Sequence, residues 1–229
     1  MVTPPHARRV WVTRTQPGAS ATAARLREMA VGVVVVAPVL VAQPIAGVGL
    51  ELDGVDALAF TSGHALSAFA ALSPRRDLPV FAVGGATAEA AWAAGFAAVR
   101  SADGDVRALA ALIAETQPRP GCVLNPTARE ASADLPALLA ERGVGARAVV
   151  VYETLETGAS VSGVDTVLVH SPRAARVLAA QLGGRPQAAG LTALAISEAA
   201  AAPLRGAGFA AVAVAPQPTE AALLDLLKG

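Results

Sequence analysis

Small and hydroxyl-bearing residues follow four predicted strands, each at the point where a helix is expected to begin. These turns are Ser62-Gly63-His64-Ala65, Gly84-Gly85-Ala86-Thr87, Ser171-Pro172-Arg173 and Ser197-Glu198-Ala199. At the carboxyl edge of a parallel sheet the first amides of a helix lack internal partners, and the helix dipole favours negative charge. We therefore expect a cleft for an anionic ligand at this edge. The alternative for each turn taken alone is an ordinary helix cap.

Three further side chains could carry chemistry beside these turns. Tyr152, the only tyrosine in the chain, has a phenol that can donate a proton or a hydrogen bond. Arg14 and Arg129 each follow a predicted strand and could pair with carboxylates. The alternatives are a packed strand residue for Tyr152 and simple surface exposure for each arginine. His170 ends a predicted strand, where packing is the simpler interpretation.

The composition argues against several other kinds of site. The 229 residues include 18 basic and 18 acidic side chains and only 3% aromatics, so binding to nucleic acid is not expected. Cys122 is the only cysteine, which excludes an internal disulfide and a cysteine-rich metal site, and the three histidines lack metal-ligand spacing. The sequence has no GxGxxG, GxxxxGK[ST] or GxSxG motif. Lys228 is the only lysine, which argues against a Schiff-base mechanism.

No segment is expected to enter a membrane. The amino-terminal MVTPPHARRVWVTR lacks an apolar signal core, and the most apolar stretch, Val31–Leu50, contains two prolines and favours a strand. These features predict a cytoplasmic protein with no membrane contact.

Strands and helices alternate along the chain, which predicts parallel sheets. In the first unit a helix is expected over about Ser20–Ala30, capped by Ser20 or Thr22 and ended by Gly32 as its C′ glycine. The sequence is also duplicated, because DALAFTSGHALSAFA from Asp56 is repeated as DTVLVHSPRAARVLA from Asp165.

Two long Val-rich segments, Val33–Pro44 and Ala148–Glu156, are expected to cross between two lobes and to pair with each other. Each lobe would then take strands from both copies of the duplication. The predicted first domain comprises residues 1–37 and 155–229, and the second comprises residues 38–154.

In their order and spacing, eight short motifs resemble the uroporphyrinogen-III synthase family. They are VTR at Val12–Arg14, PV at Pro38-Val39, DxLxFTS at Asp56–Ser62, VGxxTA at Val83–Ala88, GF at Gly95-Phe96, VYxT at Val151–Thr154, DxVxxxSP at Asp165–Pro172 and PxPT at Pro216–Thr219. The resemblance covers nearly the whole chain.

The resemblance implies an α/β fold of two similar lobes, each a parallel sheet flanked by helices, joined by a two-stranded β-ladder. It also implies a reaction. The family cyclises the linear tetrapyrrole hydroxymethylbilane with loss of water and inversion of ring D, using neither a metal nor an organic cofactor. The substrate carries eight carboxylates, which suit helix-terminal amides in the cleft between lobes.

By the same resemblance Tyr152 is the expected catalytic acid, which assists departure of the hydroxyl. The expected substrate-binding residues are Arg14, Ser62, Gly63, Gly84, Thr87, Ser171, Pro172, Arg173, Ser197 and Thr219. Ser197 and Ala200 stand where many members have Gly and Thr, so the hydroxyl at the second position is lost here. We expect a monomer and leave open a transient contact with the preceding pathway enzyme. The competing hypothesis is a non-catalytic two-lobed binding protein for a small anion.

Overall fold

The computed structural model describes residues 8–116, 118–131 and 133–228, in which strands and helices alternate. The strands are β1 (Arg8–Val12), β2 (Gly32–Val36), β3 (Leu40–Pro44), β4 (Ala57–Phe60), β5 (Val80–Ala82), β6 (Val99–Ser101), β7 (Cys122–Ala128), β8 (Gly145–Glu156), β9 (Thr166–Val169), β10 (Thr192–Ala195) and β11 (Ala211–Val214). The helices are α1 (Gly18–Glu28), α2 (Gly63–Leu72), α3 (Gly85–Ala93), α4 (Val106–Glu115), α5 (Leu135–Ala140), α6 (Pro172–Leu182), α7 (Pro186–Ala189), α8 (Glu198–Ala201) and α9 (Glu220–Asp225). A 3₁₀ turn, Ala202–Leu204, follows α8.

The chain forms two compact units. The terminal unit contains the residues up to Val41 and those from Leu155 onward, and the central unit spans Ala42–Thr154. The first crossing thus lies at residues 41/42, a few residues beyond the position 37/38 that the sequence suggested. The reason is that Val39 and Leu40 are buried in the core of the terminal unit, beside Trp11.

Each unit has a sheet of mostly parallel strands. In the terminal unit the strand order is β11-β10-β9-β1-β2, and every neighbouring pair is parallel. In the other sheet the order is β3-β8-β7-β4-β5-β6, and the pairs from β8 to β6 are parallel. The predicted α/β fold, with two parallel sheets flanked by helices, is confirmed.

The central strands are buried on both faces, as parallel strands covered by helices must be. Ala57–Phe60 and Thr166–Val169 are buried at every residue. In the central unit the rings of Phe60, Phe69 and Phe96 pack together on one face of the sheet, with centroids 5.7 and 6.3 Å apart. A separate cluster, which includes Leu109, Ile113 and Leu139, covers other strand residues. The packing of helices on both faces of the sheet holds the helix starts at the carboxyl edge of the strands.

The predicted ends of the first helix are wrong. Helix α1 begins at Gly18 with Pro17 at its N-cap, and neither Ser20 nor Thr22 caps it. Ser20 donates its hydroxyl to the Gln16 side chain instead, at 2.8 Å. At the other end Ala30 takes the left-handed backbone with φ 52°, while Gly32 already opens β2. Strand β3 and helix α7 were not predicted as separate elements.

None of the helices in the described part of the chain has the length and apolar character that a membrane crossing requires.

Candidate active site

In the central unit the turn after β4 brings Ser62 to Tyr152. Ser62 is the N-cap of α2, and its Oγ accepts the backbone N–H groups of His64 at 3.1 Å and Ala65 at 3.3 Å. Tyr152 lies on β8, and its Oη is 3.2 Å from the same Oγ. Strands β4 and β8 both neighbour β7 and run parallel to it, so their carboxyl ends meet at one edge of the sheet.

Either hydroxyl can be the donor in the Ser62–Tyr152 hydrogen bond. A hydroxyl has two lone pairs and one proton. Because Ser62 Oγ already accepts two backbone N–H groups, donation from Ser62 to the phenol oxygen is the favoured direction. In that arrangement the phenol keeps its own proton for another acceptor.

Tyr152 is only 8% exposed, and its ring packs 5.9 Å from that of His64. Burial lowers the pKa of His64 below its ordinary value, so this imidazole is neutral near pH 7. Beside the tyrosine lies a cavity of about 430 Å³, within the range of ligand sites. Its polar lining residues are Thr61, Ser62, Asp105, Thr127, Glu130 and Tyr152.

In the terminal unit Arg14 is held by a partly buried acidic partner. Arg14 Nη1 donates to Glu220 Oε2 at 3.2 Å, and Arg25 donates to the same oxygen at 2.6 Å. The other carboxylate oxygen accepts the Thr22 hydroxyl. Glu220 is the first residue of α9, and its side chain is 16% exposed. Two guanidinium groups thus share one carboxylate, which leaves one positive charge in excess.

Gly18 makes room for this arrangement. A Cβ atom at Gly18 would lie 2.5 to 2.8 Å from the guanidinium atoms of Arg14. Such a separation is far inside van der Waals contact, so Arg14 can lie across the start of α1 only over a glycine.

Next to Arg14 is a small cavity of about 140 Å³, which we call the terminal-unit cavity. Its lining includes Thr13, Thr15, Leu40, His170, Ser171 and Arg14 itself. Ser171 Oγ caps α6 by accepting the N–H of Ala174 at 3.1 Å. Burial, assisted by the charge of Arg14 and opposed by Glu220, lowers the pKa of His170 to about 4. The imidazole is therefore neutral near pH 7.

Comparison with known proteins identifies the family of this chain. Residues 20–225 match the family model described as uroporphyrinogen-III synthase HemD. The chain belongs to the uroporphyrinogen-III synthase family. Its reaction is accordingly the cyclisation of hydroxymethylbilane to uroporphyrinogen III with loss of water, a lyase step of porphyrin and heme biosynthesis.

Solved structures agree with this in fold. A uroporphyrinogen-III synthetase from Helicobacter pylori matches with a TM-score of 0.63 and 18% identity, over 96% of this chain and 97% of that chain. A mutant uroporphyrinogen III synthase from Thermus thermophilus matches with a TM-score of 0.52 and 19% identity, over 97% and 98% of the respective chains. No curated protein sequence matches the chain significantly.

Other predicted site residues occupy the expected helix starts without lining either of these two cavities. Gly84 is the N-cap of α3, and Thr87 is buried in the first turn of that helix. Ser197 caps α8 and Thr219 caps α9, each through its side-chain oxygen. Gly63 and Pro172 are the first residues of α2 and α6, and Arg173 follows Pro172.

Sequence reasoning missed Glu220 as the partner of Arg14, and favoured packing as the role of His170. The only available signal for Glu220 was its place directly after the PxPT motif, at the start of a helix. Nothing in the sequence connects it to Arg14, which lies 206 positions away. For His170 the signal was a polar residue at the end of an otherwise apolar strand, next to a predicted anion-binding turn.

Replacing the acidic partner of Arg14 should destabilise the protein. Glu220→Gln leaves two guanidinium groups facing a neutral amide, so we expect the free energy of unfolding to fall by about 2 kcal/mol, the range for hydrogen bonds to charged groups. Urea denaturation measures this change. Glu198→Gln is the matched control, since Glu198 also opens a helix and pairs with an arginine, Arg205, but is 64% exposed. The free energy of unfolding of the Glu198→Gln variant should not differ measurably from that of the wild type. Equal losses in both variants would contradict the role of burial.

Proposed function

We propose that Tyr152 is the general acid that protonates the departing hydroxyl of hydroxymethylbilane. The observation that supports this role is the hydrogen bond from Ser62, which leaves the phenol proton to be given to another group. When the C–O bond breaks, the hydroxyl leaves with the phenol proton as water. The electron pair of the pyrrole nitrogen fills the vacated position and gives an azafulvene cation. The phenolate oxygen then carries negative charge beside the Ser62 hydroxyl, which stabilises it.

The remaining steps require the substrate to be positioned correctly rather than a strong acid or base. Ring D attacks the azafulvene carbon through its own substituted carbon and forms a spiro intermediate. The bond from ring D to the ring C methylene then breaks, and the methylene bonds instead to the free α-carbon of ring D. That carbon loses its proton, which balances the proton given by the phenol, and ring D is inverted in the product. The electron-rich pyrroles do most of this chemistry, and holding the two ends of the chain together is the main contribution of the protein.

The carboxylates of the substrate are the groups that hold it in place. We propose that Arg14 and the turns at Ser62-Gly63, Gly84, Thr87, Ser171-Pro172-Arg173, Ser197 and Thr219 bind them. The side chains of Ser62, Ser171, Ser197 and Thr219 each accept an amide of their own helix. Other first-turn amides and the positive end of the helix dipole are then the groups offered to an anion.

Removing the Ser62 hydroxyl should slow turnover more than it weakens binding. In Ser62→Ala the tyrosine loses its donor, and we expect kcat to fall by about tenfold, the equivalent of one hydrogen bond of about 1.4 kcal/mol. Loss of the helix cap should cost about 1 kcal/mol of stability in addition. Ser62→Thr keeps both interactions and should recover most of the turnover. Steady-state kinetics measure the effect on turnover, and thermal denaturation measures the effect on stability. An unchanged kcat in the alanine variant would refute the proposed role of this hydrogen bond in turnover.

A coupled assay tests the reaction itself. Hydroxymethylbilane made in situ should give mainly the type III isomer with this protein and mainly type I without it. Chromatographic separation of the oxidised isomers gives the ratio. An unchanged isomer ratio would rule out the activity.

Three further features belong to this proposal. We propose that the two units are separate domains, as expected for residues 1–37 with 155–229 and residues 38–154, but with the first boundary after Val41. They differ in their sheets and cores. A cytoplasmic setting is supported by the single cysteine, which suits a reducing compartment.

We propose a monomer that makes at most a transient contact with the enzyme that supplies the unstable bilane, because a rapid transfer would limit its spontaneous cyclisation.

A further inference from the structure

The two ring nitrogens of His170 are buried and have no partner among the described residues. This residue follows β9 directly. A buried donor or acceptor left unsatisfied costs about 1–3 kcal/mol, and a phenylalanine would avoid that cost. Such a group calls for an explanation in a native protein. Because His170 lines the terminal-unit cavity, a polar group that enters this cavity would satisfy it.

The charges around the cavity favour an anion. Arg14 lines it, and the two cations Arg14 and Arg25 share the single carboxylate of Glu220. An incoming carboxylate would balance the remaining positive charge. His170, neutral near pH 7, has one N–H that can donate to it. Arg14 and Glu220 are the charged groups that act on the imidazole.

The size of the cavity limits what can enter. Its volume of about 140 Å³ corresponds to the share of roughly five water molecules in the liquid. An acetate or propionate group fits such a space, whereas a linear tetrapyrrole does not. The cavity therefore suits one side chain of a larger ligand.

We propose that the terminal-unit cavity is a subsite for one carboxylate side chain of the substrate, in which His170 and Arg14 are the contacting groups. This inference rests on the proposed assignment of the strand-end turns to substrate carboxylates. Arg14 supplies the charge, and its position is fixed by Glu220 and by the open space at Gly18. His170 supplies a directed donor from the buried side. A side chain anchored here would restrict rotation of one pyrrole ring and so help to select the productive fold of the bilane.

The experiment compares His170→Phe with His170→Gln in the steady-state assay. The phenylalanine fills the same space without a donor, so we expect KM to rise about tenfold while kcat stays within about twofold, since the lost contact is made equally in the ground state and the transition state. Glutamine keeps a hydrogen-bond donor, so the rise in KM for His170→Gln should be at most half of that for His170→Phe on a logarithmic scale. Circular dichroism and thermal denaturation establish that each variant is folded.

Each outcome decides the matter. An unchanged KM in a folded His170→Phe protein overturns the inference. A kcat that falls with KM unchanged also overturns it. If phenylalanine does not fold, His170→Leu replaces it in the comparison with glutamine, and equal KM values for those two variants count against the subsite. The proposed function has its own readout in the same runs, because its failure appears as a wild-type isomer ratio that matches the protein-free reaction.

Discussion

Tyr152→Phe should lower kcat about 100-fold, the lower end of the contribution of a general acid. The variant keeps the ring packed against His64 and loses only the phenol oxygen, which receives the Ser62 hydroxyl. The C–O bond must then break without a proton donor. Because the released bilane also cyclises by itself, the share of type I product should increase as the enzymatic step slows. Measuring kcat and the isomer ratio in the same reactions checks the expected loss of turnover and the expected rise in type I product.

Folding should survive this change, since only one partly buried hydrogen bond is lost and its net value is about 1 kcal/mol. A matched pair is available in the same cavity. Ser62→Ala removes the donor to the phenol and Tyr152→Phe removes the phenol oxygen, so the double variant should be no slower than Tyr152→Phe alone. Independent, multiplying effects on kcat would show that the two hydroxyls act separately. Full activity of Tyr152→Phe would remove the tyrosine from the mechanism.

Acid should destabilise the protein through His170. In the unfolded chain this imidazole takes up a proton near its ordinary pKa of 6.5, whereas in the folded protein burial holds its pKa at about 4. Between these values the unfolded state binds more protons, so the free energy of unfolding falls as the pH falls. The contribution of neutral His170 to the free energy of unfolding is fully present above pH 6.5, and about 3 kcal/mol of it is lost by pH 4.

Urea denaturation of the wild type and of His170→Phe, each at about pH 7 and about pH 4.5, measures this contribution. Carboxylates that titrate in the same range affect both proteins alike, so the difference between them isolates His170. The variant should lose less stability on acidification and should be at least as stable as the wild type at neutral pH, because it has no unsatisfied buried nitrogens. Parallel losses in the two proteins would mean that His170 takes up its proton without cost in the folded state.

The sequence predicted the strands well because their patterns are local. Ala57–Phe60 and Thr166–Val169 are largely apolar runs that are followed by a serine turn, and both are buried parallel strands followed by a helix. The ends of α1 could not be predicted in this way. Glycine is the usual residue for a left-handed helix end, but here Ala30 adopts that conformation two positions earlier.

The site was predictable only in part, for a similar reason. The helix starts at Ser62 and Ser171 follow from the local sequence. The pairing of Ser62 with Tyr152 depends on the register between β7 and β8, which is irregular between Thr127 and Ala128 and is not encoded in any short motif. The pairing of Arg14 with Glu220 depends on where α9 packs in the terminal unit. Contacts between distant segments require the assembled core.

Gly18 bears on how this protein could be engineered for heat resistance. It lies in a helix at an ordinary backbone geometry, so a design procedure that scores helix propensity would replace it by alanine and expect a gain of about 1 kcal/mol. The added methyl group would occupy the space of the Arg14 guanidinium, which is a flexible group that can move aside. Loss of the Arg14–Glu220 ion pair would offset that gain in part, while Arg25 would still neutralise Glu220. The melting temperature would then change little although Arg14 had left the proposed carboxylate subsite. Screening variants by thermal stability alone would therefore miss a loss of function at this position.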